Sequence, residues 1–323
     1  MNVLVTGGAG YIGSHLVRTL LREKHGVVVV DNLMSGHRDA VPDGVTFVHA
    51  DVRDRELVRR AMREHAVDAV MHFASRIQVG ESVRDPRLYY RDNLAAGIEL
   101  LEAALDENVR AVVLSSTAAV YGDPLYVPID EAHRTLPVNP YGATKHVLEQ
   151  VLASYAAAYG MRYAALRYFN ACGADEGLSE RHEPETHLIP LVLDAAMGAR
   201  PNLTVFGDDY PTRDGTCIRD YIHVADLADA HIAALAYLQA GGESGAFNLG
   251  TGNGYSVREV IDAVERVTGK KVPVVMGERR AGDPPELVAS PAKAKQTFGW
   301  VAKRSDLEEI VRDAFRARFP DKV

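Results

Sequence analysis

The segment Thr6–Gly13 constrains the fold of this chain more than any other. It reads Thr-Gly-Gly-Ala-Gly-Tyr-Ile-Gly, follows a short β-branched run and opens a stretch of helical period. Glycines in this order permit a tight turn, a close approach of backbone to phosphate, and close packing of a helix on a strand. The free N–H groups at the start of the helix favour the same anionic ligand. The segment therefore predicts a strand, loop and helix that bind a dinucleotide.

A carboxylate follows this segment at the position that distinguishes between dinucleotides. Asp31 ends the next predicted strand, 18 residues after Gly13. A carboxylate there accepts hydrogen bonds from the ribose hydroxyls of NAD and repels the additional phosphate of NADP. NAD is therefore the expected cofactor, and a glycine-rich turn without a nucleotide is the alternative. Asp51, after the third strand, is equally suited to contact the adenine or to cap a loop.

The first half of the chain alternates short apolar runs with longer helical patterns. The predicted strands are Val3–Val5, Val27–Val30, Thr46–Val48, Ala69–His72 and Val112–Leu114, with helical stretches at Leu57–His65 and Leu94–Leu105. This alternation predicts an α/β fold, a Rossmann-type doubly wound parallel sheet with helices on both faces. Ligands of such sheets bind at the carboxyl edge of the strands.

The pattern changes after residue 170 and predicts a smaller α/β substrate lobe. Residues 171–186 have no clear period and predict a loop over a site. Helical patterns return at 187–198 and 224–239, and capping-box spacings begin at Ser256 with Glu259 and at Ser305 with Glu308. We expect an NAD-binding domain over 1–170, together with about 218–248, and a substrate lobe over 171–217 and 249–323.

Composition excludes several classes of protein. The net charge of −8 disfavours nucleic acid as a partner. The apolar runs are too short to span a bilayer, and residues 1–8 lack the pattern of a secretory signal. Cys172 and Cys217 are the only cysteines, so we expect neither a disulfide framework nor a metal site. A reducing cytoplasm is the expected location.

Tyr141 and Lys145 are the candidate catalytic pair. They stand four residues apart at the start of a helical stretch, so their side chains share one face. A nearby ammonium and the positive nicotinamide ring both favour the phenolate, which brings tyrosine into working range as a base. Leu114–Thr117 ends a strand at the cofactor edge, where Ser116 or Thr117 can hydrogen-bond the substrate oxygen. A surface tyrosine and lysine on an ordinary helix is the alternative.

Further motifs are spread over almost the whole chain. They are Thr6–Gly13, Asp31-Asn32, His72–Ala74, Val79–Ser82, Ser115–Gly122, Pro140–Gly142, Leu166–Asn170, Arg219–His223 and Gly282-Asp283. In these segments the chain resembles the extended short-chain dehydrogenase/reductases. The segments Leu166–Asn170 and Arg219–His223 are narrower, and in them it is similar to nucleotide-sugar epimerases, specifically to the UDP-glucose 4-epimerase family.

The resemblance implies two sets of binding residues. For NAD they are Gly7, Gly10, Tyr11, Ile12, Gly13, Asp31, Asn32, Asp51, Val52, Phe73, Ala74, Ser75, Asn93, Ser115, Tyr141, Lys145 and Tyr168. For the UDP-sugar they are Thr117, Tyr141, Asn170, His187, Leu188, Val205, Phe206, Arg219, Arg280 and Asp283. Arginine suits a pyrophosphate because its planar fork bonds two oxygens at once. A structural pair with Asp220 or Asp283 is the alternative for Arg219 and Arg280.

The resemblance also implies an activity, the interconversion of UDP-glucose and UDP-galactose. Tyr141 takes the proton of the 4-hydroxyl while hydride leaves C4 for NAD, Lys145 holds the nicotinamide ribose and lowers the tyrosine pKa, and Thr117 shares the hydroxyl hydrogen bond. The 4-keto sugar then rotates about its pyrophosphate link and takes the hydride back on its other face. NAD is thereby regenerated in each catalytic cycle and stays tightly bound. Family members dimerise through helices that correspond to 92–106 and 141–159, which implies a homodimer.

The chain departs from the family pattern at four positions. Thr117 replaces a common serine but keeps the hydroxyl, and Arg76 stands where lysine is frequent and can substitute for it at the cofactor. His187 replaces an asparagine and is equally suited to cap a helix or to contact the ligand. Leu287 stands where members restricted to plain hexoses often carry tyrosine. The smaller side chain leaves room for a 2-acetamido group, which suggests some activity on UDP-N-acetylhexosamines.

Other activities remain as alternatives. A 4,6-dehydratase carries an Asp-Glu pair directly after the active-site Thr, whereas Ala118 and Ala119 follow Thr117 here. A nucleotide-sugar decarboxylase starts from the same ketone. A regulatory protein that senses NAD without catalysis has no use for Tyr141 with Lys145.

Overall fold

Parallel strands organise the chain. The computed structural model describes residues 1–280 and 282–322. Its strands are β1 (Asn2–Thr6), β2 (Gly26–Asp31), β3 (Thr46–His49), β4 (Ala69–His72), β5 (Ala111–Thr117), β6 (Arg162–Tyr168), β7 (Asn170–Cys172), β8 (Leu203–Phe206), β9 (Ile218–Arg219), β10 (Tyr221–His223), β11 (Gly245–Leu249), β12 (Tyr255–Ser256), β13 (Val274–Gly277) and β14 (Glu286–Leu287).

The helices lie between these strands. They are α1 (Tyr11–Arg22), α2 (Arg55–Glu64), α3 (Val79–Arg84), α4 (Pro86–Tyr89), α5 (Ala96–Asp106), α6 (Pro140–Tyr159), α7 (Leu188–Ala196), α8 (Val224–Gln239), α9 (Val257–Thr268), α10 (Ala292–Phe298) and α11 (Leu307–Arg318). A π-helical segment, Tyr90–Ala95, leads into α5, and 3-10 turns occur at Arg38–Ala40, Ala118–Val120 and Pro320–Lys322. No helix among the described residues combines the length and the apolar character needed to span a membrane.

The predicted doubly wound parallel sheet is confirmed. Within the described residues the central sheet has the strand order β11-β6-β5-β4-β1-β2-β3, and every neighbouring pair is parallel. Order reverses between β1 and β4, which places the glycine segment after β1 at the switch point where such sheets bind ligands. The late strand β11 pairs with β6, so the chain returns to this sheet after residue 217.

Apolar helices cover both faces of the sheet, because strands buried on both sides need a partner on each. On one face α1 and α8 pack through residues such as Leu16, Leu20 and Leu235. On the other face α2, α5 and α6 pack through residues such as Met62 and Leu100. This double cover fixes the carboxyl ends of the strands in space.

A separate apolar cluster supports the region beyond the sheet. Here α7, α9 and α11 pack together through Val192, Val264 and Ile310, next to the short sheet of β8 and β13. The capping box at Ser256 is observed, with Glu259 as its partner. The box predicted at Ser305 is wrong, because the Asp306 side chain accepts the Glu309 amide at 2.9 Å and caps α11 one residue later.

Candidate active site

A cleft of about 1300 Å³ runs along the carboxyl edge of the sheet and brings most of the predicted site residues together. The residues of the cofactor set that line it are Gly7, Gly10, Tyr11, Ile12, Gly13, Asp31, Asn32, Asp51, Val52, Phe73, Ala74, Ser75, Ser115, Tyr141 and Tyr168. The residues of the substrate set that line it are Thr117, Tyr141, Asn170, His187, Leu188, Val205, Phe206, Arg219, Arg280 and Asp283. Lys145 and Asn93 lie behind its wall.

The glycine segment forms a cradle that side chains would fill. Gly7 has a φ of +72°, and a Cβ on it would lie 2.6 Å from the Ala74 amide nitrogen. Gly10 is the N-cap of α1 and offers no side chain to the first helical turn. The free N–H groups of this turn therefore face the cleft, as a pyrophosphate requires. This cradle fits a dinucleotide.

Asp31 shapes the cradle before any ligand binds. Its Oδ2 accepts the Ala9 amide at 2.9 Å and its Oδ1 accepts the Leu33 amide at 2.8 Å. A carboxylate offers about four acceptor sites, so two remain for ribose hydroxyls. Asp51 instead forms a bidentate pair with Arg53, at 2.8 and 2.9 Å, and accepts from Asn32. The hydrogen bonds from Arg53 lower the pKa of Asp51 to about 2.

Asn93 acts on the wall of the cleft from behind. Its side chain accepts the Arg76 amide at 2.7 Å and donates to the Arg76 carbonyl at 2.9 Å, so it clamps both backbone groups of one residue. Arg76 itself lines the cleft, and its Nε donates to Asp92 at 2.7 Å. A direct contact of Asn93 with cofactor remains a prediction.

Helix α6 presents Tyr141 and Lys145 as expected from their spacing. The helix begins at Pro140, and the Asn139 side chain caps it by accepting the Gly142 amide at 2.9 Å. Lys145 is buried, and its Nζ donates to the Ser115 carbonyl at 2.8 Å. Burial lowers the pKa of Lys145 to about 8, although the Glu149 carboxylate opposes this shift. Burial raises the pKa of Tyr141, and a hydrogen bond with Thr117 partly offsets it.

The three hydroxyl residues at the end of β5, Ser115, Ser116 and Thr117, have different partners. Thr117 lies on the cleft beside Tyr141, whereas the Ser115 hydroxyl bonds the Tyr168 hydroxyl. Ser116 points into the core and donates to Glu149 at 2.5 Å. Of the two hydroxyls that the sequence left open for the substrate, Thr117 is therefore the one that faces the cleft.

The opposite side of the cleft carries the predicted cations. Arg219 Nη2 donates to Asp283 Oδ1 at 3.1 Å, so the structural pairing considered for this arginine exists in the protein alone. The Arg280 guanidinium carbon lies 4.0 Å from the centre of the Phe206 ring. Both arginines line the cleft, and Asp283, the carboxylate that Arg219 would exchange for an anion, is partly exposed.

His187 belongs to a cluster of two histidines and two glutamates. Its Nδ1 lies 2.7 Å from Glu180 and 2.9 Å from Glu185, and His182 lies 3.0 Å from Glu180. Burial lowers the pKa of His187, but Glu180 and Glu185 outweigh it and raise the pKa to about 10. The same contacts outweigh burial at Glu180 and lower its pKa to about 2.

The spacing of this cluster is that of hydrogen bonds. Its four residues place candidate ligand atoms within 4.8 Å of one another. Ligand atoms around tetrahedral zinc stand about 3.3 Å apart, which follows from bonds of about 2.0 Å. Both histidine nitrogens approach the same Glu180 oxygen more closely than that. His187 is the N-cap of α7, yet its side chain makes no capping bond and serves this cluster instead.

Two charged residues behind the catalytic pair were not predicted. Glu149 and Arg167 form a buried ion pair on α6 and β6, directly behind Ser116. Glu149 stands one helical turn after Lys145, and this spacing is the sequence signal that could have identified it. Glu180, His182 and Glu185 were also missed, since nothing in a loop sequence shows which of its side chains meet.

Comparisons with known proteins extend over nearly the whole chain. A model described as the NAD dependent epimerase/dehydratase family matches residues 3–250. The UDP-glucose 4-epimerase of Halalkalibacterium halodurans is 50% identical over 317 residues, which are 98% of this chain and 95% of that protein. The structure of UDP-glucose 4-epimerase from Brucella ovis in complex with NAD superposes with a TM-score of 0.95 at 51% identity, covering 97% of each chain. The structure of the UDP-Glc/GlcNAc 4-epimerase from Campylobacter jejuni superposes with a TM-score of 0.87 at 41% identity, covering 98% of each chain.

Proposed function

The chain belongs to the NAD dependent epimerase/dehydratase family, and we propose that it interconverts UDP-glucose and UDP-galactose by inverting C4 of the sugar. The family expected from the sequence is thus confirmed. The observation that carries the activity is the position of Tyr141 and Thr117. They stand on one cleft between the glycine cradle and the two arginines, where a hydroxyl of a UDP-bound sugar can meet both the base and the cofactor.

NAD is the cofactor, and when bound it accepts a hydride from C4 and returns it. On this chain the glycine segment holds the pyrophosphate, Asp31 and Asn32 face the adenosine ribose, and Ser115 and Tyr168 line the inner end of the cleft. Asp31 is placed to select against a 2′-phosphate, since a second anion beside it would be repelled.

Tyr141 moves the proton and Thr117 aligns the hydroxyl. The Tyr141 oxygen takes the proton of the 4-hydroxyl as the sugar is oxidised, then returns it once the ketone has turned over. Burial raises the pKa of Tyr141 in the protein alone, and the Lys145 ammonium on the same helical face, together with the positive nicotinamide ring, would offset this by favouring the phenolate. Lys145 is buried and Tyr141 half-buried at this end of the cleft, where charge interactions are stronger than in bulk water.

Inversion requires that UDP be held firmly while the sugar can rotate. Arg219 and Arg280 offer charged, planar donors to the pyrophosphate, and Phe206 offers a flat apolar face at the same end. Ala118 and Ala119 follow Thr117 on the sugar side, and both have small, inert side chains. This wall lacks the acid and base that a dehydratase needs for elimination.

A single reaction tests the activity. The protein as purified, mixed with UDP-galactose and no added NAD, is expected to form UDP-glucose until the two sugars equilibrate. A dehydratase would release a 4-keto-6-deoxy sugar, a decarboxylase would act on UDP-glucuronate instead, and a regulatory protein would leave UDP-galactose unchanged. Any of these three results would overturn the proposal.

The chain is divided into a part that binds the cofactor and a part that binds the substrate. Residues 1–170 and about 218–248 form the NAD-binding part, and 171–217 and 249–323 bind the UDP-sugar. The assembly is a homodimer through 92–106 and 141–159, a pair of segments that lie side by side in the fold. The free Cys172 and Cys217 suit a cytoplasmic location.

Leu287 gives this cleft room for a larger sugar. It lies on β14 next to Arg219 of β9 and lines the cleft with a side chain shorter than tyrosine. Some activity on UDP-N-acetylglucosamine is therefore expected, and Leu287→Tyr should reduce it about tenfold more than the activity on UDP-glucose. The idea fails if wild-type protein leaves UDP-N-acetylglucosamine untouched at concentrations that equilibrate UDP-glucose within minutes.

A further inference from the structure

A buried ion pair lies directly behind the catalytic lysine. Glu149 and Arg167 have side chains only 7% and 8% exposed. Arg167 Nε donates to Glu149 Oε1 at 3.0 Å, and its Nη2 donates to Oε2 at 2.5 Å. Ser116 adds a third hydrogen bond to Oε1 at 2.5 Å. The carboxylate is therefore held in one geometry by three donors.

Stability alone is a weak reason for such a pair. Removing two charges from water costs several kcal/mol per ion, and apolar side chains of similar volume often do as well or better. Arg167 is also tied to Tyr121 at 3.0 Å, and Tyr121 to Asn248 at 2.7 Å, so the network is extended and fully bonded. Its position relative to the catalytic groups is what distinguishes it.

Three consecutive residues of β5 connect the pair to the site. The Ser115 carbonyl accepts the Lys145 ammonium, the Ser116 hydroxyl donates to Glu149, and the Thr117 hydroxyl lies beside Tyr141 on the cleft. Glu149 also stands four residues after Lys145, on the same face of α6. The carboxylate thus reaches the catalytic groups by two routes, through the strand end and through its charge.

We propose that Glu149 is a positioning residue for the reaction, which fixes the end of β5 through Ser116 and keeps the Lys145 ammonium charged. This inference rests on the proposed function, because it assigns Glu149 a part in the work of Tyr141 and Lys145. Glu149 is buried and is not among the residues that line the cleft.

The other groups that face Lys145 do not supply the same charge. From β4, His72 is buried, and burial together with Lys145 lowers its pKa to about 3, so it is neutral. From β5 comes the Ser115 carbonyl, and from β6 come Arg167 and Tyr168, whose pKa is raised by burial. Tyr141 lies one turn earlier on α6. Glu149 is the anion that opposes the effect of burial on Lys145.

The pH dependence of kcat tests the charge. In the holoenzyme acting on UDP-galactose, activity should be lost at high pH as Lys145 loses its proton. Glu149→Gln removes the charge and should move this loss about one pH unit lower, since an opposite charge at close range shifts a pKa by about that much or more. Glu149→Asp restores the charge and should restore the position of the loss, even if kcat is reduced.

Ser116→Ala tests the positioning route alone, because the charge and the ion pair stay in place. It should lower kcat about tenfold at every pH, with KM and the high-pH loss unchanged. A kcat equal to that of the wild type would remove this half of the proposal.

A matched control and a second variant separate these effects from folding. Asp194→Asn breaks the ion pair of Asp194 with Arg318, at 2.6 Å on α7 and α11, and should lower stability without moving the high-pH loss. If Glu149→Gln does not fold, the double variant Glu149→Gln/Arg167→Met leaves no unpaired charge and should show a smaller shift in the same direction, because the Arg167 cation is removed together with the anion. A profile that coincides with that of the wild type, in variants that fold and carry NAD, overturns the proposal. Absence of epimerase activity in the wild type would instead overturn the proposed function.

Discussion

The two sides of the cleft are built differently. On the dinucleotide side the polar groups that shape the site are already bonded: Asp31 holds two backbone amides, and Lys145 is 2% exposed with its ammonium on a carbonyl. On the opposite side Arg219 is paired with Asp283, whose side chain is 35% exposed, and Arg280 stacks on Phe206. The first side is preorganised, whereas the second must exchange partners when its ligand arrives.

This difference matches what each ligand requires. A cofactor that stays bound through many turnovers is best served by a rigid cradle, because no reorganisation is needed in each cycle. A UDP-sugar must enter and leave, so its donors do better with partners that they can give up at low cost. Substitutions on the dinucleotide side should therefore affect kcat or NAD content, and substitutions on the opposite side should affect KM.

Tyr141→Phe should give the largest effect. Without the hydroxyl the sugar proton has no acceptor, so kcat should fall about a thousandfold. NAD content, measured after denaturation, should stay at the wild-type level because the ring still fills its place. Tyr126→Phe, at an exposed position outside the cleft and outside the proposed dimer segments, is the control and should keep full turnover. Wild-type turnover in Tyr141→Phe would remove Tyr141 from the mechanism.

Gly7→Ala should break the cradle itself. The new Cβ meets the Ala74 amide nitrogen at 2.6 Å, and the φ of +72° is strained for alanine. The amount of NAD bound per chain should fall at least about tenfold relative to the wild type. Absorbance and an enzymatic assay of the nucleotide released on denaturation measure this amount. Gly245→Ala, where the nearest atom is 3.6 Å away, should retain NAD. Full occupancy in Gly7→Ala would contradict the rigid cradle.

Arg219→Met tests the adaptable side. It removes a charged donor that faces the pyrophosphate, so KM for UDP-galactose should rise about thirtyfold while kcat changes less than about threefold. NAD content should not change. Arg279→Met provides the control, since this arginine pairs with the exposed Asp209. A fall in kcat with KM unchanged would mean that the two sides of the cleft are not separated as the geometry suggests.

The same contrast explains what could be predicted from the sequence. Dinucleotide binding depends on residues that are close in sequence, a strand followed by glycines and a helix. Thr6–Gly13 and Asp31 can therefore be identified without knowledge of long-range contacts. The spacing of Tyr141 and Lys145 likewise fixes a shared helical face. Strand positions followed because buried parallel strands are short, continuous apolar runs, as Ala69–His72 shows.

The direction of individual side chains and their partners far away in the chain could not be predicted from the sequence. Ser116 and Thr117 are neighbours with the same functional group, and only the pleat of β5 decides which one faces the cleft. Arg167 and Glu149 meet across 18 residues and two elements. At α11 the choice between Ser305 and Asp306 depended on where the chain turns, and the carboxylate forms the cap.

The smallest effect is expected at the His187 cluster, which lies on the adaptable side of the cleft and is held together by charge. The raised pKa of His187, about 10, means that its stabilising contribution is complete below its usual value near 6.5 and is lost as pH rises through about 10. The lowered pKa of Glu180, about 2, means that its contribution is complete above about 4.5 and is lost as pH falls through about 2. His187→Asn should therefore lower Tm most between about pH 5 and 6.5, by about 2–4 °C, and progressively less toward pH 10. A Tm difference for His187→Asn that does not change with pH would show that the histidine stabilises the protein by packing. The charges of Glu180 and Glu185 would then contribute nothing measurable to the stability of this side of the cleft.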